Sequence, residues 1–120
     1  MIYPLIGPRL HGWLDDVVAL LYLAGALLFG LHGAALAVAL GGALVHFSLP
    51  RLTNYPQGLL PIIPFRVHAF IELGEGLAVL AAAAVLAASP APARLFLVFM
   101  GASQLGAFAL SDYDWPKRTQ

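Results

Sequence analysis

The sequence predicts an all-α membrane protein with four transmembrane helices, arranged as two parallel hairpin repeats with a pseudo-twofold axis along the membrane normal. The first observation behind this fold class is composition: of 120 residues, 61% are hydrophobic and 10% are charged, whereas soluble domains carry about 25% charged residues. The second is length, because four apolar stretches approach the roughly 20 residues that a spanning helix needs. The third is an internal repeat of the polar motifs.

Proline positions divide the chain into helices. Proline is favoured at the first helical position, where its missing N–H group removes no hydrogen bond, so Pro8 and Pro64 indicate two helix starts. The segment 50–64 contains four prolines and cannot be one regular helix; we expect it to lie along the membrane interface. Pro50 should stop the second helix, and Ser89–Pro92 should separate the third from the fourth. The predicted helices are Pro8–Gly30, Ala34–Leu49, Phe65–Ala88 and Ala93–Leu110.

Two motifs occur twice in the chain. The segment Arg9–Asp15 matches Arg66–Glu72 at an offset of 57 residues, and Leu52–Tyr55 matches Leu110–Tyr113 at an offset of 58. We therefore predict a single transmembrane domain, 1–120, with repeats at about 8–55 and 65–113. A duplicated unit usually builds a pseudo-symmetric object whose shared site lies near the axis.

Small residues should let the helices approach closely, as association inside a bilayer requires. On the second helix they form one continuous stripe, and on the third helix they occur in two groups. These residues are Ala35, Ala39, Gly42 and Ala43 on the second helix, and Gly74, Gly76 and Ala81–Ala84 on the third.

Basic residues predict the orientation. Four spans place both termini and the central loop on one side, which carries five basic residues, and leave only Arg94 on the other side. By the positive-inside rule, we expect a multi-pass protein of the cytoplasmic (inner) membrane, N-in and C-in. The N-terminus lacks the basic start of a signal peptide, so we expect the first helix to be retained. The five basic residues are Arg9, Arg51, Arg66, Lys117 and Arg118.

Composition also limits the function classes. The net charge of zero argues against a nucleic-acid partner, and the absence of cysteine removes disulfides and thiolate metal sites. No phosphate-binding loop, dinucleotide fingerprint, nucleophile elbow or His-Glu-x-x-His pattern is present, so we predict no catalytic residues and favour a non-catalytic protein over an enzyme. A chain this small leaves much helix surface facing lipid. The expected partners are therefore the lipid bilayer and either further copies of the chain, as a homo-oligomer, or a larger membrane complex.

Polar residues that recur within the apolar helices form the candidate site. On the third helix, His68, Glu72 and Glu75 are spaced i, i+4, i+7 and share one stripe. On the first helix, His11 and Asp15 repeat the first two positions. Imidazole and carboxylate ligands suit divalent transition metals such as Zn, Fe, Mn or Cu(II), and haem is an alternative cofactor. The candidate metal ligands in the cytoplasmic half of the bundle are His11, Asp15, His46, His68 and Glu72, with Gln104 in the same layer.

Glu75 is predicted to have a different role. It lies one turn deeper than Glu72, which is its only expected charged neighbour, and burial disfavours the charged form of a carboxylic acid. We therefore expect Glu75 to be protonated at neutral pH and to be the residue through which any proton transfer passes.

Three interpretations of the polar cluster stay open. It could lock the helices together, bind a metal or haem, or transfer protons or a small solute, since ionisable residues inside a span are functional by default. In the structural interpretation, Arg9 or Arg66 could pair with Asp15 or Glu72. His32 lies in the predicted turn and is given no role. Four aromatic residues are expected to be interfacial anchors: Trp13, Tyr55, Tyr113 and Trp115.

Several short motifs resemble a known family. Ile63–His68, the acid at Glu72 and Ala88–Pro90 resemble the SPW-repeat type of small bacterial four-helix membrane protein. The resemblance implies two helical hairpins that begin with a His-x3-acid motif. The chain departs from that pattern at Ala91, where tryptophan would stand, and at Leu27–Gly30, where Ser-Pro is missing. The resemblance supports the fold and implies no activity.

Overall fold

The structure, a computed structural model, describes residues 4–116 and contains four helices in that part of the chain. Each helix is long and apolar enough to cross a membrane, which confirms the predicted all-α architecture with four possible spans. Lys117 and Arg118, two of the basic residues from which the orientation is predicted, lie outside the described residues. The helices are α1 (Pro8–Leu28), α2 (Gly33–Arg51), α3 (Phe65–Val85) and α4 (Ala91–Leu110).

The helix boundaries agree with the sequence prediction to within three residues, and the starts of α1 and α3 and the end of α4 match it. Pro50 does not stop α2 but lies in its last turn, and the helix ends at Arg51. Proline removes one N–H donor, so a proline near a helix end costs a single hydrogen bond. The turn between α1 and α2 contains Gly30, and α2 begins at Gly33; both glycines have φ of 57°. This left-handed conformation is strained for residues with a Cβ atom, which explains why α1 ends before Gly30.

The segment between the hairpins contains two short strands rather than only irregular chain. Strand β1 (Thr53–Asn54) pairs in parallel with β2 (Ile63–Pro64), with Thr53 opposite Ile63. A matching parallel bridge joins Ile6 to Ser111. Each pairing joins the chain just after one helix to the chain just before another, so Thr53 lies near the start of α3 and Ser111 near the start of α1.

The helices pack chiefly as two hairpins, α1 against α2 and α3 against α4. All four predicted small residues of α2 are buried. On α3 the prediction holds only in part, because Gly76 and Ala83 are buried whereas Gly74 is exposed. The bridge pairs and the helix order agree with two repeats, but the pseudo-twofold axis along the membrane normal stays a prediction.

Tyr22 is the large side chain that the small residues accommodate. It is fully buried, and its ring lies against Gly42, where an added methyl group would stand 2.6 to 2.8 Å from the ring carbons. Gly41, next in sequence, has no atom within 4 Å of the corresponding position. Alanine substitutions at these two neighbouring glycines therefore distinguish the effect of side-chain packing on stability from the effect of backbone flexibility.

We expect Gly42→Ala to destabilise the protein and Gly41→Ala to be neutral or slightly stabilising. Overpacking of a close contact costs about 1–3 kcal/mol, whereas alanine in an open helical position gains up to about 1 kcal/mol over glycine. Thermal melts of the two variants in the same detergent measure the difference. Equal melting temperatures would show that α1 and α2 do not meet at Gly42.

Candidate metal site

Four of the predicted ligands meet between α1 and α3. His11 and Asp15 come from α1, and His68 and Glu72 come from α3; all four are buried, with exposed fractions of 1% or 2%. One ligand atom from each residue can be chosen so that all four atoms lie within 4.8 Å of one another. The i, i+4 spacing places each histidine and its acid on one face of their helix, and the two faces are turned toward each other.

Three of the four imidazole–carboxylate distances are close to the spacing between neighbouring ligand atoms of a metal ion. His11 Nε2 lies 3.4 Å from Asp15 Oδ1 and 3.2 Å from Glu72 Oε2. His68 Nε2 lies 3.4 Å from Asp15 Oδ2 and 4.0 Å from Glu72 Oε2. Four ligands at about 2.0–2.1 Å from a tetrahedral ion are separated by roughly 3.4 Å. Most of these spacings are longer than the usual 2.7–3.2 Å of N–H···O hydrogen bonds, so direct hydrogen bonding accounts for them less well.

Thr53 determines which nitrogen of His68 carries the proton. The single hydroxyl proton of Thr53 is donated to the Leu49 carbonyl at 2.6 Å, so the same oxygen, 2.8 Å from His68 Nδ1, must accept a hydrogen bond from that nitrogen. A neutral His68 then directs the Nε2 lone pair toward Asp15. Two electron-pair donors that face each other in a buried site require a positive group between them, either a cation or a proton.

Each of the four candidate ligands has its own polar partner outside the cluster. Asp15 accepts a hydrogen bond from the Tyr55 hydroxyl at 2.9 Å, and Glu72 accepts one from the Tyr113 hydroxyl at 3.0 Å. His11 Nδ1 lies 2.7 Å from the Ser111 hydroxyl, and His68 Nδ1 lies 2.8 Å from the Thr53 hydroxyl. Metal-bound histidines almost always have such a partner on the second ring nitrogen, and metal-bound carboxylates are likewise hydrogen-bonded.

His46, Glu75 and Gln104 form a second polar group, one turn deeper. Gln104 Nε2 donates to Glu75 Oε2 at 3.0 Å, and the Tyr22 hydroxyl donates to Gln104 Oε1. His46 Nδ1 lies 3.0 Å from Glu75 Oε2, and His46 Nε2 lies 3.9 Å from Glu72 Oε1. His46 is therefore adjacent to the four-residue cluster but directs its nearest nitrogen toward Glu75. The expectation that Glu72 is the only charged neighbour of Glu75 was wrong, because the ionisable side chain of His46 on α2 lies between the two acids.

Two sequence assignments are corrected. Tyr55 and Tyr113 are not interfacial anchors: their exposed fractions are 4% and 2%, because the chain after α2 and after α4 turns back over the helix ends and directs both hydroxyls to the buried acids. Trp13 is 63% exposed, as an anchor would be. The alternative that arginines neutralise the acids was also wrong, because in the described chain Arg66 lies 4.0 Å from Asp114, and Asp15 and Glu72 face histidine and tyrosine instead.

Phe65, Thr53 and Ser111 contribute to the site but were not predicted from sequence. Phe65 is 1% exposed and lies edge-on to both His11 and His68, with ring centroids 5.3 and 5.4 Å away. Its ring places an apolar surface against both imidazoles. The signal for the hydroxyl residues was present in the repeated Leu-hydroxyl-Asn/Asp-Tyr motif, where position two is Thr53 in one half and Ser111 in the other.

The fold and the site together define a class: a four-helix protein with helices suited to membrane spanning and a buried His/Asp/Glu cluster that could bind a metal ion. Comparisons with protein-family models, with curated proteins and with solved structures found no match to this chain. The residues of the site alone therefore carry the argument about function.

The two buried tyrosines lead to a pH prediction. Burial raises the pKa of both phenols, and the adjacent Asp15 and Glu72 raise it further. Because the pKa values are raised in the folded state, the stabilisation is fully present below about pH 10, the ordinary tyrosine value, and declines above it as the unfolded chain ionises. We expect the double variant Tyr55→Phe/Tyr113→Phe and the wild-type protein, both folded, to show the same tyrosinate absorbance up to about pH 11.

The same alkaline titration in denaturant is the control, since both tyrosines then ionise normally and the double variant must show a smaller absorbance change. If the folded wild-type protein forms more tyrosinate than the variant at this pH, the phenols are not buried donors to the acids.

Proposed function

We propose that this chain is a small, non-catalytic membrane protein that binds one divalent transition-metal ion through His11, Asp15, His68 and Glu72. The observation that carries the proposal is the orientation of His68, whose proton is held on Nδ1 by Thr53, so that its Nε2 lone pair faces the carboxylate of Asp15 at 3.4 Å. A divalent cation between these atoms removes the repulsion and is bound by all four side chains.

Charge balance supports a divalent ion. Two carboxylates buried without compensation are costly in a membrane, and the four ligands carry a formal charge of minus two when both histidines are neutral. A divalent cation brings the cluster to neutrality. Once bound, the ion would supply Lewis acidity and structural cross-linking of α1 to α3. Imidazole with carboxylate ligands suits Zn, Fe or Mn better than Mg or Ca.

Geometry favours a bare ion over haem. Haem iron needs an axial histidine with open space on the side of the ligating nitrogen for the macrocycle. The carboxylate oxygens of Asp15 and Glu72 occupy this space at 3.4 and 3.2 Å from His11 Nε2. The cluster therefore lacks the space that a haem would need.

Metal titration of the purified protein in detergent tests the proposal. After removal of metal with a chelator, we expect one Co²⁺ to bind per chain, with a visible absorption band that reports histidine and carboxylate ligation. His11→Ala and His68→Ala should each weaken binding by at least about 10-fold, because loss of even an outer partner of a metal ligand costs 10- to 100-fold. His32→Ala is the matched control, since it removes an exposed turn histidine.

Absence of binding in the wild-type protein, or equal binding by the His11 and His32 variants, would reject the metal site. The cluster would then be a structural lock between helices, and the chain an accessory or assembly subunit of a larger membrane complex.

Proton transfer is the second candidate function, and the position of His46 favours it. Its ring presents one nitrogen to Glu75 and the other to Glu72, the arrangement by which an imidazole can accept a proton on one side and release one on the other. In this interpretation Glu75 is the deepest proton carrier.

If Glu75 is neutral, Glu75→Gln should melt within a few degrees of the wild-type protein, because an amide also accepts from Gln104. Glu72→Gln should be destabilised by about 1–3 kcal/mol, the cost of leaving buried partners unsatisfied. Melts in one detergent compare the two. A larger loss for Glu75→Gln would mean that Glu75 is charged and paired with His46, and the proton-carrier role would be abandoned.

The cellular setting is part of the proposal. We propose an inner-membrane location with both termini in the cytoplasm, on the basis of the basic residues of the sequence. Membership of the SPW-repeat type is likewise a proposal, supported by the two hairpins and their His-x3-acid starts. Association with further copies or a larger complex is supported by the many exposed apolar side chains, such as Leu27, Leu28 and Val85.

A further inference from the structure

A groove at the α1 start lies on the opposite side of the helix from the metal cluster. Three segments form it: the first turns of α1, the loop after α2 and the tail after α4. Its volume is about 520 Å³, within the range of small-molecule sites. We call it the tryptophan groove; it is lined chiefly by Pro8, Arg9, Leu10, Trp13, Pro56 and Trp115.

Arg9 is the charged residue of this groove. Its guanidinium has no acidic partner within ion-pair distance in residues 4–116, whereas Arg51 pairs with Asp16 at 2.7 Å and Arg66 approaches Asp114 at 4.0 Å. The backbone carbonyl of Arg9 accepts a hydrogen bond from Gln57, which holds the loop after α2 against this part of α1. Among the residues that the structure describes, the groove thus presents one positive charge without an acidic partner, which is complementary to a ligand with one negative charge.

Both tryptophans of the chain lie in the tryptophan groove. Trp13 is 63% exposed, and Trp115 is half-buried against the aromatic residues under the cluster. Tryptophan rings prefer the level of the lipid headgroups, where one edge is polar and the rest of the ring contacts acyl chains. The groove therefore lies where α1 would leave the hydrocarbon region.

We propose that the tryptophan groove binds one anionic phospholipid from the surrounding bilayer. Arg9 contacts the phosphate, and Leu10 and Trp13 contact the glycerol region and the first methylene groups of the acyl chains. A lipid fits better than a second protein copy because the lining combines one cation with apolar side chains at the membrane surface, and the charge complement of Arg9 is the phosphate. This inference does not depend on the metal site.

Tryptophan fluorescence provides a direct test, because both tryptophans of the chain line the groove. The protein is reconstituted in phosphatidylcholine bilayers that contain a minor fraction of either brominated phosphatidylglycerol or brominated phosphatidylcholine. We expect stronger quenching by the anionic lipid, equivalent to a preference of about five-fold, as one basic residue at an anionic membrane surface provides.

Arg9→Gln should abolish the preference, and Arg9→Lys, which retains the charge, should keep most of it. Arg66→Gln is the matched control, since Arg66 occupies the equivalent position in the sequence repeat but lies outside this groove. Circular dichroism confirms that each variant is helical, and the lysine variant keeps the test decisive if the glutamine variant does not fold.

Equal quenching by the two lipids overturns the proposal, as does a preference that survives in Arg9→Gln or that disappears equally in Arg66→Gln. Lack of quenching by either lipid would mean that another protein surface covers the groove, such as a second copy of the chain. This result also overturns it.

Discussion

Two carboxylates buried between helices that are suited to a membrane must be neutralised, and the polar structure of this protein is arranged around that constraint. Asp15 and Glu72 each face imidazole nitrogens from both α1 and α3 and each accept a hydrogen bond from a tyrosine. In a low-dielectric interior an unpaired carboxylate is far less stable than in water. The histidines, hydroxyls and phenols therefore form one connected network rather than a set of separate contacts.

The network connects the two hairpins through their ends. His11 of α1 meets Ser111 beyond α4, whereas His68 of α3 meets Thr53 beyond α2. Each hairpin thus supplies the hydroxyl for the histidine of the other. The short parallel pairings of Thr53 with Ile63 and of Ile6 with Ser111 hold these hydroxyls in place, so backbone structure outside the helices determines the orientation of the imidazoles within them.

The sequence was sufficient to predict the helices and the four residues of the cluster, because apolar length and i, i+4 spacing are local properties of a helix. It did not predict the partners of the cluster. Tyr55 and Tyr113 follow helix ends, and a tyrosine at that position is usually an anchor; only the path of the chain back over the helices turns them inward. His46 and Glu75 are on different helices, so their contact depends on the rotation of α2 against α3, which helix periodicity leaves undetermined.

The separation of the chain into two self-packed hairpins also bears on its biogenesis. In the proposed membrane location, α1 and α2 would enter the bilayer before α3 and α4, and each hairpin packs chiefly within itself. If the helices span a membrane, the first hairpin inserts with His11 one turn from Asp15, and an acid and a base that share a proton cost less to bury than an isolated carboxylate. The ligand set exists only after the second hairpin has docked. If the cluster binds a metal ion as proposed, a nascent or truncated chain would not retain it, and occupancy of the site would mark the molecules in which both hairpins have docked.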